Sequence, residues 1–233
     1  MKIAIMQPYF LPYVGYFQLI SSVDKFVIYD NIKYTKKGWI NRNYILNNNN
    51  SKKLITIPLV KSSDYANIVE KQISKEFNKD KLLSQIRSFY LRAPYFDDVW
   101  EKIRKIILFK EDNLFYYLKN SILEICDYLK IDSEILISSS INSDQDAKAQ
   151  DKVISICRAM NADEYINLIG GLQLYKKETF FKYRINLNFI KSNKIEYKQF
   201  NDLFVPSLSI LDLMMFNSKD KCRQIVKFEF NYQ

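Results

Sequence analysis

A chain of 233 residues that is 48% hydrophobic can bury a sizeable core, which excludes wholesale disorder. It contains no histidine, so Ser-His-Asp and Cys-His triads and His-ligated zinc are impossible, and any proton transfer must use Asp, Glu, Lys, Tyr or the substrate itself. The formal net charge of +9 invites anionic partners, but the basic residues are spread along the chain, as on any solvated surface.

Lys2-Ile3-Ala4-Ile5-Met6 reads as a buried strand with no signal peptide before it. No stretch approaches the roughly 18–20 apolar residues of a membrane span, so cytoplasmic residence is expected. Pro8 and Pro12 then impose a loop, and Gly15 to about Ser22 reads as a helix. Phe26-Val27-Ile28-Tyr29 is a second strand ending at Asp30, which completes a β-loop-α-β unit with parallel strands. A polar loop and a further strand follow over 31–45. Asn47–Asn50 is a turn, and Leu54–Leu59 is a third strand closed by Pro58.

The middle of the chain is helical. Leu82, Leu83, Ile86, Phe89 and Tyr90 recur at helical spacing, as do Trp100, Ile103 and Ile107. Leu114, Leu118, Ile122, Ile125 and Leu129 form one face of a longer helix. Ile135–Ile137 and Tyr165–Leu168 are short strands, ended by Ser138–Ser140 and by Gly170-Gly171. Ser143-x-x-Asp146 and Ser209-x-x-Asp212 each have capping-box spacing, and Phe228–Phe230 is a closing strand. Cys126, Cys157 and Cys222 fall in predicted helices with no C-x-x-C pair, as buried small hydrophobes in a reduced compartment do. The expected fold is α/β: an open, mostly parallel Rossmann-like sheet in one domain over 1–233, with a helical region at about 78–130.

In such sheets ligands bind beyond the carboxyl ends of the strands. The loop after the first strand places Tyr9, Phe10 and Tyr13 there, either to bind or to pack under the sheet edge, and a helix N-terminus follows that can hold a phosphate. Tyr34–Asn43 gathers Lys36, Lys37, Trp39, Arg42 and Asn43. Arg grips phosphate bidentately, Lys adds a point charge and Trp offers a stacking face, a set that suits a nucleotide or nucleotide-sugar; the other reading is a solvated basic loop. Asp30, beside this segment, could be a general base or hold a metal ion, or equally cap or ion-pair with Lys33. The chain has no G-x-G-x-x-G or G-x-x-x-x-G-K fingerprint.

The block from Ile5 to Phe17, Ile-Met-Gln-Pro-Tyr-Phe-Leu-Pro-Tyr-Val-Gly-Tyr-Phe, resembles the opening of WbqC-like proteins, as does Lys-Lys-Gly-Trp-Ile-Asn-Arg-Asn at 36–43. Weaker similarity continues through Arg92–Phe96, Ala162–Tyr165 and Ser207–Leu213. The resemblance implies a place in surface-polysaccharide biosynthesis, decorating an amino sugar with an amino-acid or other acyl group. Members of that family often carry His where this chain has Met6. The layout of strand, Pro-rich loop and Gly-Tyr helix start is also similar to adenylyl-forming enzymes such as pantothenate synthetase, but their histidine pair is missing here.

Two functions are therefore expected to compete. The first is amide formation between an acyl or amino-acid donor and the amine of a nucleotide-linked amino sugar. In it Lys37 and Arg42 hold phosphates, and Trp39, Tyr9 and Tyr16 face the substrate. Gln7 and Asn43 orient it, and Asp30 takes the amine proton. ATP and magnesium are required only if the donor is ATP-activated; a thioester or aminoacyl-tRNA needs neither. No protein-held metal site is expected. The second is tRNA or nucleic-acid binding without catalysis, motivated by charge and by an aromatic content of 15%.

Overall fold

The computed structural model describes residues 1–144 and 146–233. Strand β1 (Lys2–Met6) leads through the Pro-rich loop into helix α1 (Val14–Ser21), strand β2 (Lys25–Ile28) and a hairpin of β3 (Arg42–Leu46) and β4 (Lys52–Thr56). Three consecutive helices follow, α2 (Lys79–Tyr90), α3 (Phe96–Ile107) and α4 (Leu114–Leu129). The chain returns as β5 (Glu134–Ile137), α5 (Ala149–Ala159), β6 (Glu164–Leu168), α6 (Lys177–Phe181) and β7 (Asn186–Ser192). It closes with α7 (Ile210–Phe216), α8 (Lys219–Phe228) and β8 (Phe230–Tyr232).

Six strands form one sheet in the order β5-β2-β1-β6-β7-β8, parallel except for β8, which pairs antiparallel with β7. The mixed α/β, Rossmann-like arrangement read from the sequence is the one observed. Both faces of the sheet are covered, so its strands are apolar on both sides. On one face Ile3, Ile5 and Val27 pack with Val153 and Cys157 of α5. On the other, Ala4, Phe26 and Ile28 join the large core built with α1, α2–α4, α7 and α8. Gln18, fully buried in α1, ties that helix to α8 by donating to the carbonyls of Ile225 at 3.1 Å and Glu229 at 2.8 Å.

Strand order moves outward from β1 to β5 on one side and from β6 to β8 on the other. The direction reverses between β1 and β6, and the crevice at such a switch point is where ligands enter.

Four expectations need correction. The closing strand is Phe230–Tyr232, not Phe228–Phe230, because Phe228 is the last residue of α8 and Glu229 its C-cap. The third strand spans Lys52–Thr56, not Leu54–Leu59, and it pairs with β3 in a separate two-stranded hairpin rather than in the sheet. The Asn tract makes the turn: Asn47 accepts from the N–H of Asn49 and Ser51, and Asn50 adopts φ 53°, a left-handed conformation that asparagine tolerates. The Ser143 box is not formed. Helix α5 starts at Ala149 with Lys148 as N-cap and no side-chain cap, while the Asp144 carboxylate accepts from the N–H of Asp146 and Ala147. The Ser209 box is half formed. Ser209 caps α7 through Leu211 N–H at 3.2 Å, but Asp212 turns its carboxylate into the core.

The three cysteines lie in α4, α5 and α8, are free and buried, and burial pushes each thiol up to about 12. Among the described residues no helix is long and apolar enough to cross a membrane, and no three Cys, Asp or Glu side chains gather to hold a metal ion.

Candidate functional site

Three segments distant in sequence are stitched together beyond the sheet's carboxyl edge. The loop after β1 is joined to the segment before β3 by Phe10 N–H donating to the Ile40 carbonyl at 3.0 Å. Buried Asn43 donates its amide to the carbonyls of Phe10 at 3.1 Å and Leu11 at 2.7 Å. The start of α7 joins from a third side, with Ser209 Oγ donating to Leu11 at 2.8 Å and Ile210 N–H to Pro12 at 2.9 Å. Leu11 itself has φ 45°, which is unfavourable for a branched side chain. Two donors on its carbonyl hold it there.

This stitching leaves two cavities side by side. The smaller, about 240 Å³, is lined by Tyr9, Pro12, Tyr13, Trp39, Asn43 and Ser207. It is a slot of aromatic faces, with Trp39 45% exposed and braced edge-on by Tyr44 at 5.5 Å. The larger, about 380 Å³, runs from Tyr13 and Val14 past Ser192 at the end of β7 to the 204–210 segment. Tyr13 and Ser207 line both. Ser207 sits at φ 58°.

Gly15 makes the shared wall possible. A Cβ there would lie 2.5 Å from the Tyr13 ring and 2.9 Å from Ser192 Oγ. Burial raises the Tyr9 phenol and, with help from Tyr9, pushes Tyr13 up to about 12. Both therefore remain neutral near pH 7 and present rings and hydroxyls, not bases.

The cavities collect only part of the predicted site. Tyr9, Trp39 and Asn43 line the small one, although the Asn43 side chain is occupied: its NH2 holds Phe10 and Leu11, and its carbonyl oxygen accepts from Tyr44 N–H at 2.8 Å. Tyr16 is fully buried and donates to the Gln7 carbonyl at 3.0 Å, so it belongs to the core and faces no ligand. Gln7 is half-buried and lines neither cavity. Lys37 is exposed, and Arg42 folds back to donate to the Lys36 carbonyl. Neither of the two reaches the cavities.

Asp30 is buried and occupied. Its carboxylate accepts from Ser138 Oγ at 2.6 Å and Ser139 N–H at 2.9 Å, which ties the end of β2 to the end of β5. Lys33 lies over the Tyr65 ring at 4.6 Å and makes no ion pair with Asp30. Asp30 and Ser138–Ser140, at the carboxyl ends of the neighbouring strands β2 and β5, are thus one structural joint.

The first two motif blocks converge on this slot, and the Ser207–Leu213 block closes it. Residues 7–224 match the WbqC-like protein family. The chain belongs to that family. A curated relative, uncharacterized protein Rv1507c of Mycobacterium tuberculosis, is 29% identical over 216 residues, covering 91% of this chain and 92% of that one. No solved structure matches the chain.

In this WbqC-like protein the acid that sequence reasoning undervalued is Asp212. It is fully buried, has no cation beside it, and accepts from Tyr90 at 2.9 Å, Tyr197 at 2.7 Å and Gln199 at 2.7 Å. Burial pushes it up to about 6 against the lowering effect of those three donors. Tyr197 lines the large cavity, so Asp212 fixes one of its walls from behind. The sequence signal was present, an acid inside Ile210–Met215 where the helix is otherwise apolar, but its spacing from Ser209 pointed to a cap.

Proposed function

We propose that this protein is an enzyme of surface-polysaccharide sugar biosynthesis. It joins an acyl or amino-acid group to the amine of a nucleotide-linked amino sugar. The observation that carries the reading is the aromatic slot of Tyr9, Tyr13 and Trp39 sharing a wall with a second cavity. A planar ring gains about 1–3 kcal/mol from stacking on an aromatic side chain, and two adjoining cavities suit a reaction of two substrates.

In this reading the exposed Lys37, two residues before Trp39 in the chain, supplies a positive charge for the phosphates of a nucleotide held in the slot. With no histidine, neutral phenols and Asp30 engaged by Ser138 and Ser139, the protein offers no strong base at the slot. Catalysis then rests on positioning, and the departing group of the donor takes the amine proton. An ATP-activated donor would bring Mg²⁺ on its phosphates, since Mg²⁺ binds through one or two carboxylates together with phosphate oxygens.

The test is to incubate pure protein with a nucleotide-linked amino sugar and each of three donors in turn: amino acid with ATP and Mg²⁺, acyl thioester, and aminoacyl-tRNA. Amide product from one donor is expected, with Trp39→Ala weakening nucleotide-sugar binding by about 1–3 kcal/mol. No product from any donor, or nucleotide binding indifferent to Trp39, overturns the reading.

A further inference from the structure

We infer that the larger cavity is the acyl-donor subsite and that it selects an apolar acyl group of short to medium length. The inference rests on the amide-forming reading above. The walls of the cavity are apolar: Val14, Ile195, Phe204, Val205 and Leu213 face it. Lys194 and Glu196, its charged lining residues, pair with each other at 2.9 Å and keep their heads in solvent, at 83% and 53% exposure. The Tyr197 hydroxyl is committed as well, since its one proton goes to Asp212 at 2.7 Å. A polar acyl group would lose its water in this space and find few donors in return, a penalty that an apolar group does not suffer.

Size sets the upper limit. About 380 Å³ lies at the small end of ligand cavities, too little for a long lipid chain. The polar end of the donor would lie toward Lys194, the lining residue whose charged head is the most exposed to solvent. Tyr13 and Ser207 are common to both cavities, so the acyl carbonyl and the sugar amine meet at that wall.

There the amine nitrogen attacks the carbonyl carbon of an activated acyl donor, a thioester or acyl phosphate. The new C–N bond forms as the bond from that carbon to sulfur or phosphate oxygen breaks. The leaving group departs with the bonding electron pair and receives the proton lost by the nitrogen.

The probes are the N-acetylcysteamine thioesters of butanoate, hexanoate and octanoate, titrated calorimetrically into the full chain. Each added methylene should tighten binding about fourfold, the equivalent of about 0.8 kcal/mol, until the cavity is full. Val205→Trp, at a half-buried position, should fill the cavity and weaken octanoyl binding at least about tenfold while sparing the butanoyl thioester. Ile195→Ser should weaken all three; because Ile195 also packs against the core, its titrations are read at a temperature where its own melt shows it folded. Affinity independent of chain length, or octanoyl binding unaffected by both variants in folded protein, overturns the inference. A parallel titration with UDP-glucosamine separates the two readings. If that ligand binds and the thioesters do not, the acyl subsite alone falls. If the thioesters show the chain-length trend but no amide forms, the subsite stands and the amide reading falls.

Discussion

The Tyr197 hydroxyl donates to the Asp212 carboxylate at 2.7 Å, so a wall residue of the larger cavity is held by an acid that the solvent never touches. Burial pushes that acid up to about 6, above the value near 3.9 of an unfolded chain. The folded protein therefore binds an extra proton between those two values. The stability that Asp212 contributes is fully present below about pH 4 and is lost as pH rises through about 6, on the order of 2–3 kcal/mol in all. Asp212→Asn removes the titration. The stability difference between wild type and variant, measured by urea unfolding from pH 4 to 7.5, should shift by that amount, with wild type losing ground as pH rises. A difference that stays flat across the range would contradict the assignment.

Arg42 should behave as a clamp on the basic loop. Its guanidinium donates to the Lys36 carbonyl, its Nε is buried without a hydrogen-bond partner, and it lines neither cavity. Arg42→Lys keeps the charge and loses the planar fork. We expect ligand-free protein to lose about 0.5–1.5 kcal/mol, seen as a lower melting temperature. A variant that melts like wild type yet binds nucleotide more weakly would restore Arg42 to the ligand.

Asp30→Ala removes the acceptor for Ser139 N–H and Ser138 Oγ at the joint between β2 and β5. Leaving a buried donor unpaired costs about 1–3 kcal/mol. Thermal and chemical unfolding should both report that loss. An unchanged melt with abolished amide formation would instead make Asp30 a catalytic group.

Gly15→Ala places a methyl group 2.5 Å from the Tyr13 ring and 2.9 Å from Ser192 Oγ, so the ring and the hydroxyl must both move. The helix itself should tolerate the change, because alanine is the better helix former by about 1 kcal/mol. Little net change in stability is expected, together with weaker binding in both cavities, because Tyr13 walls both. Unaltered titrations of UDP-glucosamine and octanoyl thioester would show that Tyr13 is not the shared wall in solution.

Period and punctuation in the chain decided strands β1, β2, β5 and β6 and helices α1 to α4. Apolar runs such as Ile3–Ile5 and Phe26–Ile28 must be buried on both faces, and helical spacing through 82–129 admits one reading, because side-chain direction follows backbone period. Absence of histidine likewise settled which catalytic devices are impossible. Long-range partnership was not legible. Leu54–Ile57 looks like any sheet strand, and only its pairing with Arg42–Leu46 and the tether from Ile57 N–H to Asn41 set it apart from the main sheet. Asp30, Asn43 and Arg42 have the chemistry of ligand-binding groups, yet each found its partner inside the protein, at Ser138, Leu11 and Lys36. Asp212 has the spacing of a cap, yet Tyr90, Tyr197 and Gln199 drew it into the core. A polar side chain serves whichever partner the tertiary fold brings within about 3 Å, and sequence records the side chain but not the neighbour.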